Sequence, residues 1–93
     1  GRRQGCVSAW AQYTIQYEDR DSLKTRLSEK GVPSVIYYPL PMHLQDAYRT
    51  YGGGVGSLPV TESLCQRVLS LPMHPYIDDA TATHICDSVL ASL

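Results

Sequence analysis

Apolar and polar positions alternate along residues 7–17. Ala11, Tyr13, Ile15 and Tyr17 fall on one side, and Trp10, Gln12, Thr14 and Gln16 on the other. A period of two marks a half-buried strand, with its Gln/Thr face toward solvent or another polar surface. The period then lengthens. Leu23 and Leu27 are four apart and form the apolar stripe of a helix over about 20–30, with Asp19 or Asp21 as its cap. Lys30 in the last turn opposes the helix dipole, and Gly31 supplies a left-handed stop. Val35, Ile36, Tyr37 and Tyr38 give Val32–Tyr38 the character of a second strand, ended by Pro39 and Pro41, which cannot donate to a ladder.

Beyond the prolines the pattern predicts a helical patch around Leu44–Tyr48 and a glycine loop from Gly52 to Ser57. A further element over about 61–69 carries Leu64, Cys65, Val68 and Leu69 on one face, with Glu62 in its first turn where negative charge is favoured. Ser70–Met73 suits a short edge strand. Asp78 or Asp79 caps a last helix to about Leu90, with Ile85, Cys86, Val89 and Leu90 facing inward. Strands and helices mix without βαβ regularity. The expected fold is a small α+β unit, a mostly antiparallel sheet with helices packed on one face.

Composition narrows the function classes. Ninety-three residues make one domain. The 43% hydrophobic and 18% charged content is that of a globular domain, not a disordered tail. There is no Phe, and seven Tyr with one Trp carry the aromatic content. Such rings suit half-buried surfaces, where the polar tip meets water or a partner. A net charge of −1 leaves no basic footprint for nucleic acid. No apolar run approaches the ~20 residues of a membrane span. No signal-peptide core is visible, and the start at Gly1 without Met suggests an excised piece. Cys6, Cys65 and Cys86 are odd in number and far apart, which favours reduced thiols in a cytoplasmic protein over a disulfide framework. Cys65 and Cys86 read as small core residues.

Familiar catalytic patterns are missing. The glycine run lacks the Lys of a P-loop, and Ser57 breaks a dinucleotide fingerprint counted from Gly52. His43, His74 and His84 have no ligand pairing at helical spacing, so no metal site is expected. No nucleophile elbow occurs. Lys24 and Lys30 lie on a charged helix beside Arg20, Arg26 and Glu29, and read as solvated. The segment Ile36–Gln45 differs. It brings Tyr37, Tyr38, His43 and Gln45 together and stiffens them with Pro39 and Pro41. It suits either an aromatic strand end with a rigid turn or a preorganised polar rim that contacts a ligand or a neighbouring subunit.

The same segment, Tyr37-Tyr38-Pro39-Leu40-Pro41-Met42-His43-Leu44-Gln45 followed by Ala47-Tyr48, resembles a signature of the DegT/DnrJ/EryC1/StrS aminotransferases. The run from Leu58 to Pro75, with Val60-Thr61-Glu62 and Val68-Leu69-Ser70-Leu71-Pro72-Met73-His74-Pro75, resembles a second signature. The strand Ala11-Gln12-Tyr13-Thr14 is similar to the branch acting on 3-keto uronic acid sugars of bacterial surface polysaccharide pathways. The resemblance spans nearly the whole chain but only the family's C-terminal small domain, here residues 1–93.

The resemblance implies a piece of an enzyme that aminates keto sugars on nucleotide carriers. Pyridoxal phosphate would be bound by the parent enzyme on a large N-terminal domain absent from this chain. No cofactor is expected here, and the piece alone would be inactive. Partners implied are that large domain, a nucleotide-sugar substrate and a second copy in a homodimer, with no nucleic acid or membrane. The substrate-facing candidates are Tyr37, Tyr38 and Tyr48, with His43 and Gln45 behind them. His43 has a second possible role, fixing the turn. Tyr37 stands where the family often has His; a phenol donates a hydrogen bond but brings no positive charge near neutral pH. Two other readings remain: a free-standing binding or oligomerisation module derived from this domain, and a nucleic-acid-binding α+β domain disfavoured by the charge.

Overall fold

The computed structural model describes residues 2–93. Two short strands, β1 (Tyr13–Gln16) and β2 (Val68–Leu71), pair antiparallel with Tyr13 opposite Leu71 and Gln16 opposite Val68. Three helices complete the α+β fold: α1 (Arg20–Glu29), α2 (Pro59–Arg67) and α3 (Asp79–Ser92). Leu23 and Leu27 of α1, Val32, Leu69 of β2 and Ile85 of α3 form the core. Ile15, Tyr17, Ile36, Leu71, Ile77 and Val89 pack around them. Burying each such aliphatic side chain contributes about 1.5–3 kcal/mol.

Local chemistry sets the ends of α1. Gly31 takes φ +76°, the left-handed turn expected of it. Its N–H donates to Ser28 O at 3.0 Å, and Val32 N–H donates to Leu27 O at 2.9 Å. This pair of bonds is a Schellman stop, and the accompanying contact joins Leu27 and Val32, both in the core. The N-terminal position falls to Asp19, whose side chain makes no capping bond. By contrast, Asp78 caps α3, accepting from Thr81 N–H at 2.7 Å.

Strand geometry departs from the sequence pattern in three places. Residues 7–12 are not paired: Trp10 adopts φ +47°, and its N–H turns back to Ser8 Oγ at 3.1 Å. The expected strand Val32–Tyr38 reduces to a single bridge at Val35. Pro33 has no amide to donate, and the chain pairs only through Val35 N–H to Ser70 O at 3.0 Å and Ser70 N–H to Val35 O at 2.9 Å. The supposed edge strand Ser70–Met73 is shifted to Val68–Leu71 and lies between β1 and the Val35 bridge. Both backbone groups of Ser70 point to Val35. Thr14 and Ser70 therefore form a non-hydrogen-bonded pair across the sheet, and their hydroxyls meet at 2.8 Å.

The helices differ in detail as well. The expected patch Leu44–Tyr48 is not helical. Two 3₁₀ turns, Met42–Leu44 and Arg49–Tyr51, flank a plain turn there. Pro59 opens α2 at its first position, where a missing N–H costs nothing, and α2 ends at Arg67 rather than 69 because Val68 has already turned extended. On α3 the inward face is Ile85, Ser88 and Ser92, with Val89 at its edge. Cys86 and Leu90, expected inside, are exposed. The small serines lie on the buried side of α3, and Ser92 Oγ donates to the backbone oxygen of Ser88 at 2.7 Å, which satisfies the Ser92 hydroxyl.

Candidate functional site

The segment after the Val35 bridge is a rigid track. Leu44 N–H bonds Pro41 O, Gln45 N–H bonds Met42 O, Tyr48 N–H bonds Gln45 O and Tyr51 N–H bonds Tyr48 O, all at 2.9–3.1 Å. Each is an i→i+3 turn, so the stretch from Pro41 to Tyr51 is held locally even without a sheet. Pro41 is buried and anchors the track, while Tyr38, Leu40 and Met42 stay exposed.

An open groove of about 410 Å³ lies between this track and α2. Tyr38, Pro41, Met42 and His43 form one wall, and Leu58, Thr61 and Cys65 the other. His43 is the polar group best fixed there. Its Nε2 lies 2.9 Å from Glu62 Oε1. Glu62 also accepts from Gly56 N–H through both carboxylate oxygens, at 2.8 and 2.9 Å. The His43 hydrogen bond, with Gly56 second, holds the Glu62 carboxyl below its ordinary value against a smaller opposing cost of burial. An ionised carboxylate is acceptor-only, so in this bond Nε2 carries the hydrogen and donates to Glu62. Gly52 closes over the other side. A Cβ there would sit 3.0 Å from His43 Cβ and 3.2 Å from its carbonyl oxygen.

The five sequence candidates thus separate. Tyr38 and His43 meet at the groove. Tyr37 joins Tyr38 in an adjoining depression of about 110 Å³ on the Gln12 and Thr14 face of the sheet, floored by Ser70. Gln45 turns back and donates from Nε2 to Leu40 O at 3.1 Å, bracing the track. Tyr48 is exposed and borders neither hollow. Glu62, Leu58, Thr61 and Cys65 were not among the candidates. Nothing in the spacing of His43 and Glu62, 19 residues apart, announces their pairing.

Other functional groups stay dispersed. His74 Nδ1 accepts from Tyr76 N–H at 3.2 Å within its turn. Among the described residues no three His, Cys, Asp or Glu side chains converge on one point, and no helix is long and apolar enough to cross a membrane. Lys24 and Lys30 are both exposed. A lysine that forms a Schiff base must be desolvated or electrostatically depressed, so this chain's own lysines do not fit a pyridoxal phosphate site.

This fold recurs in solved aminotransferases. It superposes on a DegT DnrJ EryC1 StrS aminotransferase from Brucella abortus with a TM-score of 0.87 and 50% identity, over 98% of this chain and 24% of that one. It superposes on Streptomyces venezuelae DesV, solved in complex with a ketimine intermediate, with a TM-score of 0.82 and 38% identity, over 86% of this chain and 22% of that one. The sequence matches the DegT/DnrJ/EryC1/StrS aminotransferase family over residues 2–90, and the chain belongs to that family. It is 42% identical to the erythromycin biosynthesis sensory transduction protein EryC1 of Saccharopolyspora erythraea, over 90% of this chain and 23% of that protein. It is 39% identical to the UDP-2-acetamido-2-deoxy-3-oxo-D-glucuronate aminotransferase of Pseudomonas aeruginosa, over 86% of this chain and 21% of that protein. The chain therefore spans under a quarter of the length of these relatives.

Proposed function

We propose that this chain is the C-terminal small domain of a pyridoxal-phosphate-dependent aminotransferase that aminates a keto sugar carried on a nucleotide, in bacterial surface polysaccharide synthesis. The cofactor supplies carbanion stabilisation from the larger remainder of the enzyme. This domain supplies the wall that closes over the sugar nucleotide, and by itself it is inactive. Tyr37, Tyr38 and Tyr48 present phenols to the substrate, and His43 and Gln45 support them from behind. The similarity to the Pseudomonas aeruginosa enzyme supports a 3-keto uronic acid sugar as substrate. The complete enzyme is a cytoplasmic homodimer.

The observation that carries this reading is the shape of the unit together with its uncovered aromatic face. The radius of gyration is 15.9 Å, against about 13 Å for a compact domain of ~100 residues, and the unit is only 20 Å thick in its shortest dimension. Tyr37, Tyr38, Leu40, Met42, Tyr48 and Leu58 are each more than two-fifths exposed. Tyr38, Met42 and Leu58 share the groove, and an exposed apolar surface of this kind marks a place where another body sits. Relatives about four times the length of this chain have the residues to provide that body.

The test is kinetic and uses the complete gene product. With pyridoxal phosphate and an amino donor present, Tyr38→Phe raises KM for a 3-keto uronic acid nucleotide sugar and leaves cofactor binding unchanged. Unchanged kinetics would remove Tyr38 from the site. An immunoblot of the source cells addresses the domain assignment: a band several times larger than 10.3 kDa is expected, and a band at that size would turn the search toward a free-standing module.

A further inference from the structure

We propose that Glu62 is the positioning residue of the substrate-facing groove, one carboxylate that locks the His43 ring and the 52–57 glycine loop to each other before any ligand arrives. The inference rests on the proposed substrate role of the Tyr38 groove, and it adds a residue that is neither among the five site candidates nor on the exposed rim.

Three observations meet at this side chain. Glu62 Oε1 bonds His43 Nε2 at 2.9 Å, with the two side chains only 17% and 9% exposed. Both its oxygens accept from Gly56 N–H, at 2.8 and 2.9 Å. Gly52, at the other end of the loop, rests against His43 so closely that a methyl group would not fit without displacement. The loop is thus held at both ends to one residue, to the His43 imidazole through Glu62 at Gly56 and to the His43 Cβ and backbone by direct packing at Gly52. Glu62 itself sits in the first turn of α2, its N–H donating to Leu58 O at 3.0 Å, so the clamp is referred to a regular element.

The geometry has a chemical consequence. A ring with both Nε2 and Cβ constrained keeps one orientation and one tautomer. His43 and Leu58, which flanks the loop, lie on opposite walls of the groove below Tyr38. Fixing them fixes its width, so less ordering remains to be done when a ligand enters. Oε1 faces both donors, and Oε2 faces the Gly56 N–H as well, so both atoms of the carboxylate end act as acceptors. The amide of Gln presents one acceptor and would turn its own N–H groups toward a donor.

The experiment compares Glu62→Gln, Glu62→Ala and Tyr38→Phe in the complete protein, each checked for native circular dichroism. Substrate-free readouts come first: ¹⁵N chemical shifts of the His43 ring and hydrogen exchange at the Gly56 amide. In both Glu62 variants the ring loses its single tautomer and Gly56 exchange rises about tenfold, while the Val89 amide is unchanged. The kinetic readout follows, with the nucleotide sugar as probe. KM rises about tenfold and kcat changes by less than about twofold. An unaltered ring and unaltered Gly56 exchange would overturn the clamp. Altered ring and loop with unchanged KM would overturn its service to the groove. Should Tyr38→Phe alone leave KM unchanged, the substrate reading of Tyr38 falls instead, and the ring and exchange data still decide the clamp.

Discussion

Arg20 donates from Nη1 to the carbonyl oxygen of Cys65 at 2.8 Å, across 45 residues of sequence. The same nitrogen reaches Val68 O at 3.1 Å, and Nε bonds Asp21 Oδ1 at 2.8 Å. Only 8% of the Arg20 side chain is exposed. The guanidinium therefore closes the C-terminal end of α2, where carbonyls lack helical partners and a positive charge is favoured. Arg26 does the same for α3, donating from Nη1 to Ser92 O. Two arginines of α1 thus tie down the ends of the other two helices.

Arg20→Met is expected to destabilise the chain by about 3 kcal/mol, since it leaves buried carbonyls without a donor. Arg20→Lys recovers part of this, because an ammonium cannot span two carbonyls and a carboxylate at once. Asp21, 81% exposed, is a weak partner, so Asp21→Asn costs under about 0.5 kcal/mol. Urea unfolding followed by circular dichroism gives the order; equal effects at Arg20 and Asp21 would contradict it.

The pH dependence follows from two carboxyls. Glu62 is held low by His43 and then Gly56, and Asp78 by Thr81. A carboxyl depressed in the folded state binds fewer protons there than when unfolded. Its stabilisation is present above the unfolded value and lost as pH falls through the folded one. Stability is expected to hold above about pH 5 and to decline below about pH 4. Urea midpoints for the wild type and for the double variant Glu62→Gln, Asp78→Asn test this. The double variant has the shallower acid limb, and identical limbs would show that these contacts do not form.

Gly52→Ala tests the packing against His43. The added methyl group meets His43 Cβ and the backbone oxygen, neither of which is the end of a flexible side chain. A cost of about 1–3 kcal/mol is expected, with a shift of the His43 ring resonances. Unmoved resonances would mean that the loop does not rest on His43.

Thiol labelling separates the three cysteines. Cys6 and Cys86 are exposed and Cys65 is buried. With a maleimide under native conditions, Cys6 and Cys86 react promptly and Cys65 about a hundredfold more slowly, through opening of the fold. Prompt reaction at Cys86 also locates the outward face of α3. If Cys86 reacted as slowly as Cys65, the helix would be rotated from the position described.

What the chain determines locally is legible in its sequence. The α1 helix, its stop at Gly31 and its buried Leu23 and Leu27 follow from a four-residue spacing and a residue that accepts φ +76°. The inward side of β1, with Ile15 and Tyr17 against the core, follows from alternation. The family follows from the two proline-bearing signatures. Tertiary structure decided what depends on a neighbour. Val32–Tyr38 has strand-forming residues, but only Val35 finds a partner, because β2 is four residues long and Pro33 cannot donate. Periodicity put Cys86 and Leu90 inside α3; packing against α1 chose Ser88 and Ser92 instead. Arg20 and Glu62 look like solvated helix charges, and each gains its role from carbonyls or an imidazole delivered from a distant part of the chain. Period and propensity describe how a residue relates to the next turn, whereas satisfying a buried donor or acceptor depends on which group the folded chain places opposite it.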